Sequence, residues 1–175
     1  MAAQTSFDDF VLGTRRELTR QLTAMTTDPE LARDVLQEAY ARAWQRWSRV
    51  STLDNPLAWV RTVAWRLAVS HFRRVAVAER ALRALRVRSD QLPTSPVDEA
   101  LDVQAALRQL SLEQRRALVL HDLCGMTMEQ VGFETGVSIG TVKSRLSRGR
   151  AALSKALGPA YAAPDSGMLE REEGR

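Results

Sequence analysis

Two prolines in the stretch Ser89–Pro96 (SDQLPTSP) interrupt a chain that is otherwise helix-periodic from Asp8 to Leu157. Proline lacks the backbone N–H that a helix needs and clashes with the preceding turn, so no helix can run through this point. On both sides alanine, leucine, arginine and glutamate dominate, and β-branched alternation is almost absent. The expected fold is therefore all-α, with two small helical domains joined by a short flexible linker. The boundaries are 1–88, a linker over 89–98, 99–158, and a disordered tail over 159–175, which has little apolar content. A length of 175 residues suits this division.

Local signals place the elements. Asp8 to Met25 reads as a first helix. Asp28-Pro29-Glu30 supplies a cap, a proline at the first helical position and an early acid for a second helix reaching about Trp47. Ser51 to Asn55 reads as a loop, and Asn55-Pro56 starts a helix through Arg74 and on towards Val87. Beyond the prolines, helices are expected over Val97–Leu110, Leu112–Leu123, Met128–Thr135 with Thr127 as cap, and Ile139 to Leu157, stopped by Gly158-Pro159.

Composition excludes several functions. No apolar run approaches the roughly 20 residues of a membrane span, and Asp8 and Asp9 stand where a signal peptide needs lysines. One cysteine permits no internal disulfide, and two histidines leave little for a metal site. No metal or cofactor is expected, and the expected location is the cytoplasm. Cys124 reads as a small buried apolar residue. A phosphate-binding loop and a paired nucleophile and base are both missing, which argues against an enzyme. The chain carries 25 bases against 21 acids and a net charge of +4. So small an excess matters only if the signs are segregated.

They are segregated most sharply at the end. Gly136-Val137-Ser138 separates a short helix from a longer one, the helix-turn-helix arrangement. Gly136 suits a left-handed turn and Ser138 can cap the second helix. At 100° per residue Val142, Leu146, Gly149 and Leu153 form the buried stripe. The opposite face collects Thr141, Ser144, Ser147, Arg148 and Lys155, flanked by Lys143, Arg145 and Arg150, and no acid occurs from Ile139 to Leu157. Such a face suits phosphates and base edges in a major groove.

The first half carries two contrasting faces. Ala32, Leu36, Ala39, Ala43 and Trp47 form a core stripe opposite Asp34, Gln37, Glu38, Ala41 and Gln45. An acidic, amide-bearing face on a basic chain suits a basic protein partner or is simply solvated. On the following helix Val60, Val63, Ala64, Leu67 and His71 face inward, while Trp59, Arg66, Ser70 and Arg73 align elsewhere at near-heptad spacing. Rings beside guanidiniums suit single-stranded nucleic acid. Packing between helices is the other reading for Trp59 and Trp65.

These features together resemble the extracytoplasmic-function (group IV) sigma factors of bacterial RNA polymerase, from about Phe7 to Leu157. GVSIGTVKSRLSRGRAAL, within Ser111 to Leu157, is similar to sigma region 4. DPELARDVLQEAYARAWQRW and NPLAWVRTVAWRLAVSHFRR are similar to region 2. The resemblance implies a monomeric factor that binds core polymerase through the β′ clamp helices and the β flap and directs initiation at promoter DNA. It assigns Asp34, Gln37, Glu38 and Ala41 to the polymerase. Ser138, Thr141, Lys143, Ser144, Arg145, Ser147 and Arg148 go to the −35 element. Asn55, Trp59, Arg66, Ser70, Arg73 and Arg74, with the Ser51–Asn55 loop, go to the melted −10 element. It also admits an anti-sigma protein as a partner.

The sequence departs from the family pattern in places. Arg66 and Ser70 stand where many members carry asparagine and aspartate, so the family's −10 preferences do not transfer. Thr135 replaces an aliphatic residue and Phe133 a polar one. No regulatory domain is expected after Leu157. The alternative function, a stand-alone helix-turn-helix regulator, leaves the Asp34-Gln37-Glu38 face and the arginine stripe without purpose.

Overall fold

The computed structural model describes residues 6–85 and 99–158, and the expected linker (89–98) and tail (159–175) lie outside them. Every regular element among the described residues is helical. In chain order these are α1 (Phe7–Thr26), α2 (Pro29–Gln45), α3 (Trp47–Val50), α4 (Pro56–Leu85), α5 (Glu99–Arg108), α6 (Leu112–Leu118), a π turn (Val119–Leu123), α7 (Met128–Thr135) and α8 (Ile139–Leu157).

The starts of the helices follow from side chains that satisfy orphaned N–H groups. Ser6 Oγ accepts from Asp9 N at 3.1 Å, and Asp28 Oδ1 accepts from Glu30 N and Leu31 N at 3.0 Å each. Asn55 Oδ1 accepts from Ala58 N at 2.9 Å at the head of α4. Ser111 with Gln114, and Thr127 with Gln130, form reciprocal capping boxes on α6 and α7.

Two elements differ from expectation. The second helix stops at Gln45, because Arg46 leaves helical geometry at φ −126°, and the chain resumes as the single turn α3. In that turn Trp47 lies 5.2 Å from the Phe7 ring and 5.0 Å from Phe10. The expected helix Leu112–Leu123 is α only to Leu118. Its last turn is π, with Cys124 N donating to Val119 O at 2.9 Å. The widened turn keeps Leu118, Val119 and Leu120 buried in succession while Asp122 reaches solvent beside Arg150.

The first half is a bundle of α1, α2 and α4 around Leu18, Leu22, Met25, Leu36, Ala39 and Ala64. The second packs α5, α6 and α7 against α8 through Leu118, Val131, Val142 and Leu146. These side chains form one contiguous buried cluster, because α1 packs against both α6 and the π turn. The two halves are thus clasped together, with Leu120 fully buried and Trp65 3% exposed.

Candidate functional site

The helix-turn-helix is built as its sequence requires. Gly136 takes φ 72° and its N–H reaches Gly132 O, ending α7. A Cβ on Gly132 would stand 2.9 Å from Val137 O, a backbone atom, so only glycine lets the turn close this tightly. Ser138 Oγ accepts from Thr141 N at 3.3 Å and lies 3.0 Å from Thr141 Oγ1, so both hydroxyls serve the cap. Val142, Leu146 and Gly149 are buried.

The remaining candidates on α8 divide by exposure. Lys143, Ser147 and Arg148 are exposed, and Ser144 is half-buried. Arg145 pairs with Glu113 of α6 at 3.2 Å, and Arg150 pairs with Asp122 at 2.6 Å. Two flanking arginines of α8 are thus paired with acids of α6 and the π turn, while Lys143 and Arg148 are exposed.

On α4, Arg66, Ser70, Arg73 and Arg74 are exposed, whereas Trp59 is half-buried against the core. Trp65 packs inward, as the packing reading expects, with the Arg116 guanidinium 5.3 Å from its ring centre. Asn55 spends its carbonyl oxygen on the α4 cap. On α2, Asp34, Gln37, Glu38 and Ala41 are all exposed along one face, and Glu38 accepts from Arg42 Nε at 2.8 Å. A groove of about 360 Å³ between α2 and α4 joins the two surfaces, lined by Asp34 and Glu38 on one wall and His71 and Arg74 on the other.

Sequence reasoning missed a buried polar cluster between the halves. Arg61 of α4 donates from Nε to Glu134 Oε1 of α7 at 2.9 Å and makes a second, very short contact from Nη2 to Oε2. Arg61 Nη1 donates to Gln21 at 3.1 Å. Both charged side chains are only 5% exposed. Burial disfavours the Arg61 charge, but the hydrogen bond and charge of Glu134 outweigh it and raise its pKa. Arg116 Nη2 donates to Glu134 O at 3.3 Å, and burial lowers its pKa despite that neighbour. The only local cue in the sequence was that Arg61 adjoins the buried Val60; nothing in the spacing linked it to Glu134, 73 positions away.

Among the described residues no group of three or more His, Cys, Asp or Glu could hold a metal ion, and no helix is long and apolar enough to cross a membrane. Cys124 is half-buried, and burial pushes its thiol pKa up.

Residues 10–77 match the family described as Sigma-70 region 2, and residues 100–153 match Sigma-70, region 4. The RNA polymerase sigma-E factor of Streptomyces coelicolor is 32% identical over 185 residues, covering 99% of this chain and 97% of its own length. The ECF RNA polymerase sigma factor SigM of Mycobacterium tuberculosis is 30% identical, over 87% of this chain and 78% of its own. Among solved structures, the sigma factor RpoE of Bartonella quintana, crystallised with the anti-sigma factor NepR, superposes with a TM-score of 0.71 at 25% identity. That match covers 86% of this chain and 96% of the other. A stand-alone regulator is not favoured, since the first half matches region 2 in addition to the second half's match to region 4. The chain belongs to the extracytoplasmic-function sigma factors of the sigma-70 family, which bind core RNA polymerase and direct transcription initiation at promoters.

Proposed function

We propose that this sigma factor divides promoter reading between its two halves, bounded at 1–88 and 99–158. In this reading α8 enters the major groove at the −35 element and presents Lys143, Ser147 and Arg148 to bases and phosphates. Ser138 and Thr141 shape that face through the cap and Arg145 through its Glu113 pair, and half-buried Ser144 adds a further hydroxyl to it. The exposed arginines of α4, with Ser70, Asn55, Trp59 and the Ser51–Asn55 loop, engage the −10 element once it melts. Asp34, Gln37, Glu38 and Ala41 meet the clamp helices of β′, and the second half meets the β flap.

The observation that carries this reading is the exposure of a cationic, hydroxyl-bearing α8 face directly after the Gly136 turn. The mechanism is thermodynamic. The protein binds splayed bases and so offsets an unstacking cost of a few kcal/mol per flipped base. No enzymatic step is required, and the place of action is the cytoplasm, where polymerase and promoter are. An anti-sigma protein is a further partner, supported by the structural relative crystallised with one.

The test is promoter opening with core polymerase on duplex and premelted templates. Arg66→Ala and Arg73→Ala should spare closed-complex formation, slow opening on duplex, and recover on the premelted template. Equal defects on both templates would make the α4 stripe a duplex-docking surface instead.

A further inference from the structure

The arginine row of α4 continues past the last residue that packs. At 100° per residue Trp59, Arg66, Ser70, Arg73, Val77 and Arg80 fall within about 80° of one another around the helix. Up to Phe72 every turn of α4 gives the bundle a buried or half-buried side chain, whereas all eight residues from Arg73 to Arg80 are exposed. The helix therefore leaves the buried core at Arg73 and runs on to Leu85. The match to Sigma-70 region 2 ends at residue 77, short of Arg80.

Packing does not account for this projection. Burial of an apolar face holds most protein helices in place, and here Val75 is 42% and Val77 65% exposed. Ala76, Ala78, Ala81 and Ala84 keep the segment helical by propensity alone. What it displays is charge. From Arg66 to Arg80 α4 carries four arginines and one acid, Glu79. That acid lies about 120° around the helix from Arg73, off the row.

A cationic row clear of acids complements the phosphates of nucleic acid. Seven residues of helix advance about 10.5 Å, the rise of about three base pairs, so Arg80 stands about 21 Å, or six base pairs, beyond Arg66. Chain order sets the direction. The Ser51–Asn55 loop precedes α4 and the half assigned to the −35 element follows it, so the free end of α4 points upstream.

We propose that the end of α4, from Val77 through Arg80, is a further DNA-binding site that holds the phosphate backbone of the duplex just upstream of the −10 element. The proposal rests on the assignment of α4 to that element. A guanidinium on a phosphate reads no base, so the contact adds affinity whatever the spacer sequence. The duplex there stays paired when the −10 element opens. Arg80 thus acts before and after melting, unlike the melted-strand contacts of Arg66 and Arg73.

The test uses core polymerase with the full chain, on a promoter that this holoenzyme selects from a randomised library. Arg80→Ala exchanges an exposed side chain for the best helix former, so circular dichroism should not change. Promoter affinity should fall, and the slope of log K against log salt should drop by about one. The defect should accordingly shrink about three- to fourfold between about 50 and 200 mM salt. Neutral methylphosphonate linkages are then placed in successive windows of about six base pairs. With the window just upstream of the −10 element, the difference between wild type and variant should vanish. Equal affinity of the two on unmodified DNA would overturn the proposal. So would a difference that survives every window, as contact with a protein partner would give, or one that vanishes only with a window inside or downstream of the −10 element. Failure of the −10 assignment is read separately, from Arg66→Ala, whose defect would then be equal on duplex and premelted templates.

Discussion

Arg115 Nη1 donates to the hydroxyl of Thr27, the one described non-glycine residue with positive φ, at 56°. A β-branched residue in the left-handed region is strained by about 1–2 kcal/mol, and here a guanidinium from the other half holds it. The same guanidinium donates to Leu107 O, Leu110 O and Met25 O.

Arg115→Ala should therefore destabilise the chain by about 1–3 kcal/mol, because buried carbonyls lose their donor. Arg115→Lys should recover little, since one ammonium cannot span acceptors arranged for a planar fork. Urea unfolding of the three proteins checks this. Equal stability of the lysine variant and the wild type would contradict it.

The two buried glycines should respond unequally to alanine. At Gly132 the new Cβ meets backbone, Val137 O, at 2.9 Å, and at Gly149 it meets the end of the Leu118 side chain at 2.7 Å. A leucine can turn aside, but the backbone of the turn cannot move without displacing α8. Gly132→Ala should cost about 1–3 kcal/mol and also weaken −35 binding, while Gly149→Ala costs less. Thermal melting with DNA binding by the same variants separates them.

Cys124 provides a pH readout. Burial raises its thiol pKa above the ordinary cysteine value, so a smaller fraction is thiolate than for a free cysteine at the same pH. Alkylation by iodoacetamide should be slower than for glutathione at pH 8, and its rise with pH should lag behind that of glutathione. The unfolded thiol ionises first, so this group's contribution to stability falls as pH rises through the unfolded value towards the folded one. A rate matching glutathione across the range would contradict the burial.

Asp34→Lys and Glu38→Lys should each abolish binding to core polymerase, by adding repulsion as well as removing attraction. Glu38→Lys also places a second cation beside Arg42, which Glu38 now holds. Both positions are exposed, so melting temperature should change little. Unchanged polymerase affinity in both would return this face to a solvated role.

What was legible in the sequence was local. Asp28, Thr127 and Ser138 announce helix starts because a cap needs only its next three residues, and Gly136 announces a turn because its φ is positive. The α8 stripe follows from helical spacing alone. The break at Arg46 and the π turn were not legible, since both arise where tertiary packing overrides a continuous helical pattern. The Arg61–Glu134 pair joins residues 73 positions apart and no spacing rule reaches that far. For the same reason the inward packing of Trp65 is not legible from spacing, because its partner Arg116 comes from the other half of the chain.

The most direct measurement is transcription in vitro with core polymerase over a randomised promoter library, using wild type, Lys143→Ala and Arg148→Ala. Neither side chain belongs to the buried Val142–Leu146 stripe, so both variants should fold. Wild type should select two separated sequence blocks. Each variant should lose preference at particular bases of the upstream block by about 1–3 kcal/mol if its side chain reads a base edge, with the downstream block unchanged. Wild type that selects no promoter above core polymerase alone, or variants that select the same upstream block as wild type, would contradict the account.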